Sequence, residues 1–256
     1  SAASDVYKRQ VEKSVFAYDT ERPYNIISKS SLCSGGAEQV ERTYYSNNTI
    51  PDKEFLTTSQ RSVIQLLTSR NYLTTPVQQT MEKKDKRLYS VLRGYSSSLS
   101  SGMVVEDQYY CKGTDKYEKR ISYNKYDIYG NPVYINKDGA EKVVYLWGYK
   151  GQYLLAEIKG ATYEEVKKAL MVDPASMSSC ILPSMPLYLD MIDNLYKALP
   201  SALITSYTYH PLIGISGIIS PNKAKTTFEY NSDSQLIRIK DTEGKTKEEY
   251  QYHFRP

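Results

Sequence analysis

The sequence predicts a mainly β fold, built of repeated antiparallel hairpins in a sheet-like or shell-like array, with a few short inserted helices. Three observations carry that expectation. Tyrosine supplies 26 of the 256 residues, against 4 Phe and 1 Trp. Such a composition suits thin, half-buried sheets, where a ring packs on a neighbour while its hydroxyl stays in contact with water. A phrase also recurs: Tyr126-Asp127-Ile128-Tyr129-Gly130-Asn131-Pro132-Val133-Tyr134-Ile135 returns as Tyr230-Asn231-Ser232-Asp233-Ser234-Gln235-Leu236-Ile237-Arg238-Ile239. Each copy is followed by a second acidic-to-glycine turn, Asp138-Gly139 in the first and Asp241-Thr242-Glu243-Gly244 in the second. Finally, Tyr209, Tyr230 and Tyr250 or Tyr252 stand about twenty residues apart, a period that fits stacked two-stranded units unable to bury a face alone.

Taken in order, residues 1–10 (SAASDVYKRQ) resemble a translated sequencing-adapter scar and are set aside, leaving 11–256 as one β-rich domain. Phe16-Ala17-Tyr18-Asp19 with Arg22 to Ile27 is a degenerate copy of the recurring phrase, and Gln39 to Tyr45 alternates as a returning strand. Thr57 to Asn71 is a helix by its apolar positions Val63, Ile64, Leu66 and Leu67, with Ser59 as cap and Asn71 as stop. Glu82 to Arg87 mixes both charges and reads as a solvated turn or strand end. Arg87 to Tyr95 and Met103 to Lys112 flank a Ser/Gly tip as a hairpin, and Tyr117 to Lys125 alternates with period two.

In the recurring phrase, Asp127 fits the first position of a turn, where its carboxylate can accept backbone N–H groups. Gly130 fits the position that needs positive φ. The preceding Tyr126 is expected to pack across to the next strand. Lys142 to Tyr149 and Tyr153 to Ile158 are strands. A helical insertion spans about 162–200. Thr162 and Glu165 form a capping box, Pro174, Pro183 and Pro186 interrupt the stretch beyond that first helix, and Tyr188 to Leu199 is a second helix. Five strands close the chain: 203–209, 213–219, 226–230, 236–240 and 248–254.

Lys+Arg exceed Asp+Glu by 33 − 29 = 4, and the two signs are interleaved. That pattern argues against a nucleic-acid patch. No apolar run approaches a membrane span. Cys33, Cys111 and Cys180 have no metal-ligand or redox spacing, so at most one disulfide can form.

The Tyr-Asp phrase, with Val144 to Tyr149, Ala156 to Tyr163 and Tyr207 to Gly214, resembles the RHS/YD-repeat family, most narrowly RHS-type proteins of Bacteroidetes. The resemblance covers roughly 121–158 and 201–254. It implies a non-enzymatic structural or interaction segment of a secreted or cell-surface protein, contacting neighbouring repeats of the parent chain and surface glycans. The alternative it implies is part of a β-shell encapsulating a toxin domain encoded downstream. Copies depart from the pattern: Asn231 and Ser234 replace Asp and Gly, and Ser220-Pro221-Asn222-Lys223 stands where an Asp-x-x-Gly turn is expected.

The repeat-turn residues are Tyr126, Asp127, Gly130, Asp138, Gly139, Tyr230, Asn231, Asp241 and Gly244. No catalytic constellation accompanies them. His210 and His253 lack a nucleophile at motif spacing, Gly214-Ile215-Ser216-Gly217 falls short of a nucleophile elbow, and Cys33-Ser34-Gly35-Gly36 has no partner histidine. No enzyme activity, metal or cofactor is expected. Tyr145, Trp147 and Tyr149 alternate, which places all three on one strand face. Packing is the ordinary reading of that face, and a carbohydrate-contacting platform is the functional one.

Overall fold

A computed structural model describes residues 13–32, 36–98, 102–179 and 185–252, and the chain divides into two compact units. The first comprises the described residues to Ser97 together with Met103–Arg120. It holds β1 (Ser14–Tyr18), β2 (Ile26–Leu32), β3 (Glu38–Tyr45), β4 (Pro76–Lys83), β5 (Lys86–Ser98) and β6 (Gly102–Lys112), each beside the next in sequence. Helix α1 (Thr58–Ser69) is inserted between β3 and β4, which still pair antiparallel. Its apolar stripe, Val63, Ile64 and Leu67, joins Ile50, Leu56, Val77, Leu92 and Tyr95 in a core. The N-cap is Thr57, not Ser59. Its hydroxyl accepts from Gln60 N, and the Gln60 side chain accepts the Thr57 N–H in return. Asn71 stops the helix as expected, at φ 64°.

Strand β4 is the element that sequence reasoning missed. Its segment, PVQQTMEK, is polar, yet Gln78 and Thr80 are buried. Gln78 takes part in a dense hydrogen-bond set, so burial is achieved without hydrophobicity. The charged run beyond it forms the tight turn expected, with Lys84 and Asp85 both at positive φ as a two-residue hairpin loop requires.

The second unit contains β7 (Glu118–Tyr126, from Ile121 onward), β8 (Pro132–Lys137), β9 (Glu141–Gly148), β10 (Tyr153–Lys159), β11 (Leu203–His210), β12 (Gly214–Ile219), β13 (Lys225–Tyr230), β14 (Leu236–Lys240) and β15 (Thr246–Glu249). All pair antiparallel in sequence order. Strand β15 is shorter than the expected 248–254: Tyr250 to Tyr252 lie outside it, and the residues from His253 on are outside the described set.

Between β10 and β11 run α2 (Tyr163–Leu170), a 3-10 turn at Pro174–Ser179, and α3 (Met185–Ala198). The capping box forms as expected, with Glu165 accepting from the Thr162 N–H at 2.7 Å. Pro186 does not break α3 but lies in its first turn, where no helical N–H partner is lost. Pro183 is outside the described residues. The two helices cover one sheet face. Register places Val144 beside Ile158 and Ile158 beside Ile204, and these pack with Val166, Ile192 and Leu195. Burying such a set contributes roughly 1.5–3 kcal/mol per large side chain.

Candidate functional site

The predicted turn residues build one local structure, repeated. In residues 127–131 the Asp127 carboxylate is buried, and its Oδ1 accepts the N–H groups of Tyr129 (2.9 Å) and Asn131 (2.8 Å). The Asp127 N–H donates to the Asn131 carbonyl, and the Gly130 N–H donates to the Asp127 carbonyl. Gly130 sits at φ 85°. Residues 231–235 repeat every bond. Asn231 Oδ1 accepts from Asp233 N and Gln235 N, and Ser234 takes the left-handed position at φ 62°. Residues 241–245 do so again, with Asp241 as acceptor and Gly244 at φ 79°.

The segment 220–224, a departure by sequence, has the same two backbone bonds, with Lys223 at φ 64°. The loop geometry is thus common to four turns, while the side-chain acceptor is not. Asp19 opens a longer version, accepting from Glu21 N and Arg22 N before Asn25 closes the loop. Asp138-Gly139 is a different device, both residues at positive φ in a three-residue loop (Asp138 to Ala140).

The tyrosines before these turns share a second feature. Tyr18, Tyr45, Tyr126 and Tyr230 end a strand at a register shift, and Tyr209 stands at one, a residue before the end of its strand. A bulge frees a backbone carbonyl from the ladder, and such a group needs another donor. Near several strand ends an aromatic side chain supplies it by reaching back to the start of the preceding strand. Tyr45 Oη donates to the Ile26 carbonyl (2.9 Å), Tyr209 to Leu154 (2.7 Å), Tyr230 to Ile215 (2.9 Å) and Tyr252 to Leu236 (2.9 Å). Tyr95 likewise donates to Pro76 (2.7 Å).

Trp147 belongs to this series. Its indole Nε1–H donates to the Pro132 carbonyl at 2.8 Å, at the start of the preceding strand β8. The lone tryptophan therefore occupies a latch position. Tyr145 is half-buried beside it on β9, paired with Glu157, and burial together with the Glu157 carboxylate pushes its phenol up to about 12. Tyr149 departs from the expected shared face. It lies past the end of β9 at φ 51°, outside the strand's alternation, and packs against the helix-covered core and edge-on to Tyr153.

The chemistry-bearing candidates are placed as follows. Ser216 is a strand residue donating to Thr208 Oγ1 at 3.0 Å, with no elbow around it. His210 is exposed at the end of β11, edge-on to Tyr230. Cys111 is a free, buried thiol donating to the Asp115 carbonyl at 2.8 Å. Burial pushes its pKa up, the wrong direction for a nucleophile. Cys33 to Gly35, Cys180 and His253 lie outside the described residues.

Two buried polar clusters in the first unit went unseen in the sequence. Asp52 Oδ2 receives Tyr117 Oη (2.7 Å), Arg87 (3.0 Å) and the Gln78 amide, and Ser90 joins Tyr117. Asp52, Arg87 and Tyr117 line a cleft of about 840 Å³ together with Phe55 and Asp115. In the other cluster, the Gln60 amide nitrogen donates to Glu106 (2.8 Å) and Asp107 (3.1 Å), and Lys119 balances Asp107. Their members stand up to 65 residues apart in sequence, so no spacing motif could announce them. Both clusters are satisfied internally by opposite charges and amides, an arrangement that fixes strand register rather than activating a group. Among the described residues no group of three His, Cys, Asp or Glu is arranged to hold a metal ion.

No family model matches the chain, and no curated protein matches its sequence. Among solved structures it is similar to the crystal structure of TcdB2-TccC3-Cdc42, at 11% identity and a TM-score of 0.36 over 90% of this chain and 12% of that one. It is also similar to the Photorhabdus luminescens Tc holotoxin pore carrying a TccC3 mutation, at 11% identity and a TM-score of 0.36 over 91% of this chain. The crystal structure of TcdB2-TccC3 without its hypervariable C-terminal region gives 10% identity and the same score. The chain spans 12% of the length of each of these, and at such scores the likeness carries no inference about function.

Proposed function

We propose that this chain is a non-enzymatic scaffold segment of a larger secreted hairpin-repeat protein. The carrying observation is the aromatic latch. Six times among the described residues, a side chain near a strand end donates to the carbonyl that opens the preceding strand. Each hairpin is thereby joined to its predecessor by the same bond, a device that extends by repetition and needs no pocket. The turns opened by Asp127, Asn231 and Asp241 lead out of strands of this array and share one backbone geometry, which supports a scaffold.

The finer reading is a stretch of shell wall around an encapsulated toxin domain. Sequencing the parent gene past both ends of this chain tests it. Further Tyr-latched hairpins followed by a divergent C-terminal domain would support the wall, and a gene without additional hairpins would overturn it. The carbohydrate platform at Tyr145, Trp147 and Tyr149 is a weaker reading, because Trp147 spends its N–H on Pro132 and Tyr149 leaves the face. Unchanged retention on a glycan array by a folded Trp147→Ala protein would end that reading.

A further inference from the structure

In the second unit the strands alternate direction in sequence order, so the turns after β7, β9, β11 and β13 share one end of the sheet. The turns after β8, β12 and β14 share the other. Those three turns are polar, with Asp138, Asn222, Lys223 and Glu243 in them, while the longer connection after β10 carries exposed Met171 and Val172. Two loops of the first end are not polar. Ile128 and Tyr129 are 55% and 46% exposed in one, and Leu212 and Ile213 are 96% and 44% exposed in another. Between them lies the loop of exposed Lys150. The fourth loop, with Ser232 and Asp233, is polar and bounds the row.

These apolar tips are held, not loose. Asn131 Nδ2 donates to the Gly151 carbonyl at 2.9 Å, and Tyr153 Oη accepts the Leu212 N–H at 3.2 Å, tying neighbouring loops together. Leu212 sits at φ 67°, where glycine or asparagine is the ordinary choice in an exposed loop. Both its backbone and its exposure disfavour leucine, so the local structure does not explain it. Exposed apolar side chains held on two tips that flank one exposed lysine mark a candidate interaction site.

We infer that this row of hairpin tips docks on an anionic lipid surface. The tips protrude, and a bilayer accepts protruding apolar side chains without a matching set of pockets, whereas a protein partner would have to supply one. Tyr129 suits the headgroup level, and Lys150 meets anionic headgroups. Charge agrees: the only carboxylate in the three loops is that of Asp127, which is buried and bonded within its turn. Docking is at the surface, as among the described residues no helix is long and apolar enough to cross.

The test is co-sedimentation of the full chain with phosphatidylcholine vesicles, with and without phosphatidylserine. Wild type should sediment with the anionic vesicles only. Leu212→Asn alone and Ile128→Asn/Leu212→Asn should reduce the bound fraction, and Lys150→Glu should reduce affinity at least about fivefold. Lys223→Glu, at the opposite end, should leave binding unchanged. Absence of sedimentation, or unaltered binding by the tip variants at unchanged melting temperature, overturns the proposal. Equal loss in Lys223→Glu would assign binding to the overall charge of +4 and also overturn it. So would a dimer by light scattering that Leu212→Asn dissociates in a protein that ignores vesicles.

Discussion

Asp127 shows how much of the repeat rests on one residue. Its buried carboxylate accepts two backbone N–H groups and the Asn131 amide. Alanine there would take the side-chain acceptor from both backbone N–H groups, while the Asn131 amide keeps the Gly151 carbonyl, a loss of about 1–3 kcal/mol. Asparagine should cost less, because Asn231 performs the same task in its own turn. Urea melts of Asp127→Ala and Asp127→Asn would show this order, and equal midpoints would refute the role assigned to the charge-bearing acceptor. Gly130→Val should lose about 1–3 kcal/mol, since a β-branched residue resists φ 85°. At Gly94 the constraint is close approach instead of dihedral angle: an added Cβ would come within 2.3 Å of the Gln60 side chain. Gly94→Ala should therefore disturb the Gln60–Glu106–Asp107 cluster and lower the melting temperature of the first unit.

At the scale of elements, the latch and the inserted helices do different work. A latch is one hydrogen bond to a carbonyl that the bulge has freed, so Tyr209→Phe and Tyr230→Phe should each cost about 0.5–1.5 kcal/mol and keep the ring packing. Trp147→Phe should cost more, because it also loses ring volume. If neighbouring latches couple through shared strands, the Tyr209→Phe/Tyr230→Phe pair will depart from additivity, which a double-mutant cycle reads directly. Strict additivity would mean the hairpins are fastened independently.

The sequence made the strand-turn-strand grammar legible because Asp, Gly and Tyr each have a local reason for their place. It hid β4, whose glutamines are buried by hydrogen bonding, and the 220–224 turn, whose backbone closes without an acidic residue. It did not tell where the tyrosine hydroxyls of Tyr45, Tyr209 and Tyr230 go. Strand alternation tells which face a ring takes but not which neighbour its hydroxyl reaches. The clusters around Asp52 and Gln60 were invisible for a different reason: their members meet only through tertiary packing.

Across the whole molecule, the tyrosine content links folding to alkaline pH. Burial raises the phenol pKa of Tyr145 and Tyr209 to about 12, and raises those of Tyr117, Tyr163, Tyr149, Tyr196 and Tyr207 as well. At Tyr163 the Asp173 carboxylate, to which its hydroxyl donates, adds to the effect. The unfolded chain releases these protons near pH 10.0, while the native state holds them to higher pH. Above that point the native state carries more bound protons, so stability falls as pH rises; below it the contribution is fully present. The melting temperature should therefore be level up to about pH 9 and decline above about pH 10. The tyrosinate absorbance of these buried phenols, read as the difference between wild type and the Tyr145→Phe or Tyr209→Phe protein, should rise together with unfolding rather than ahead of it. Tyr145→Phe and Tyr209→Phe should each make the decline shallower, since each removes one group whose ionisation pulls the chain open. A melting temperature level through about pH 11, or phenols that ionise freely in a still-folded protein, would mean that the rings are more open to water than their packing in the sheet implies.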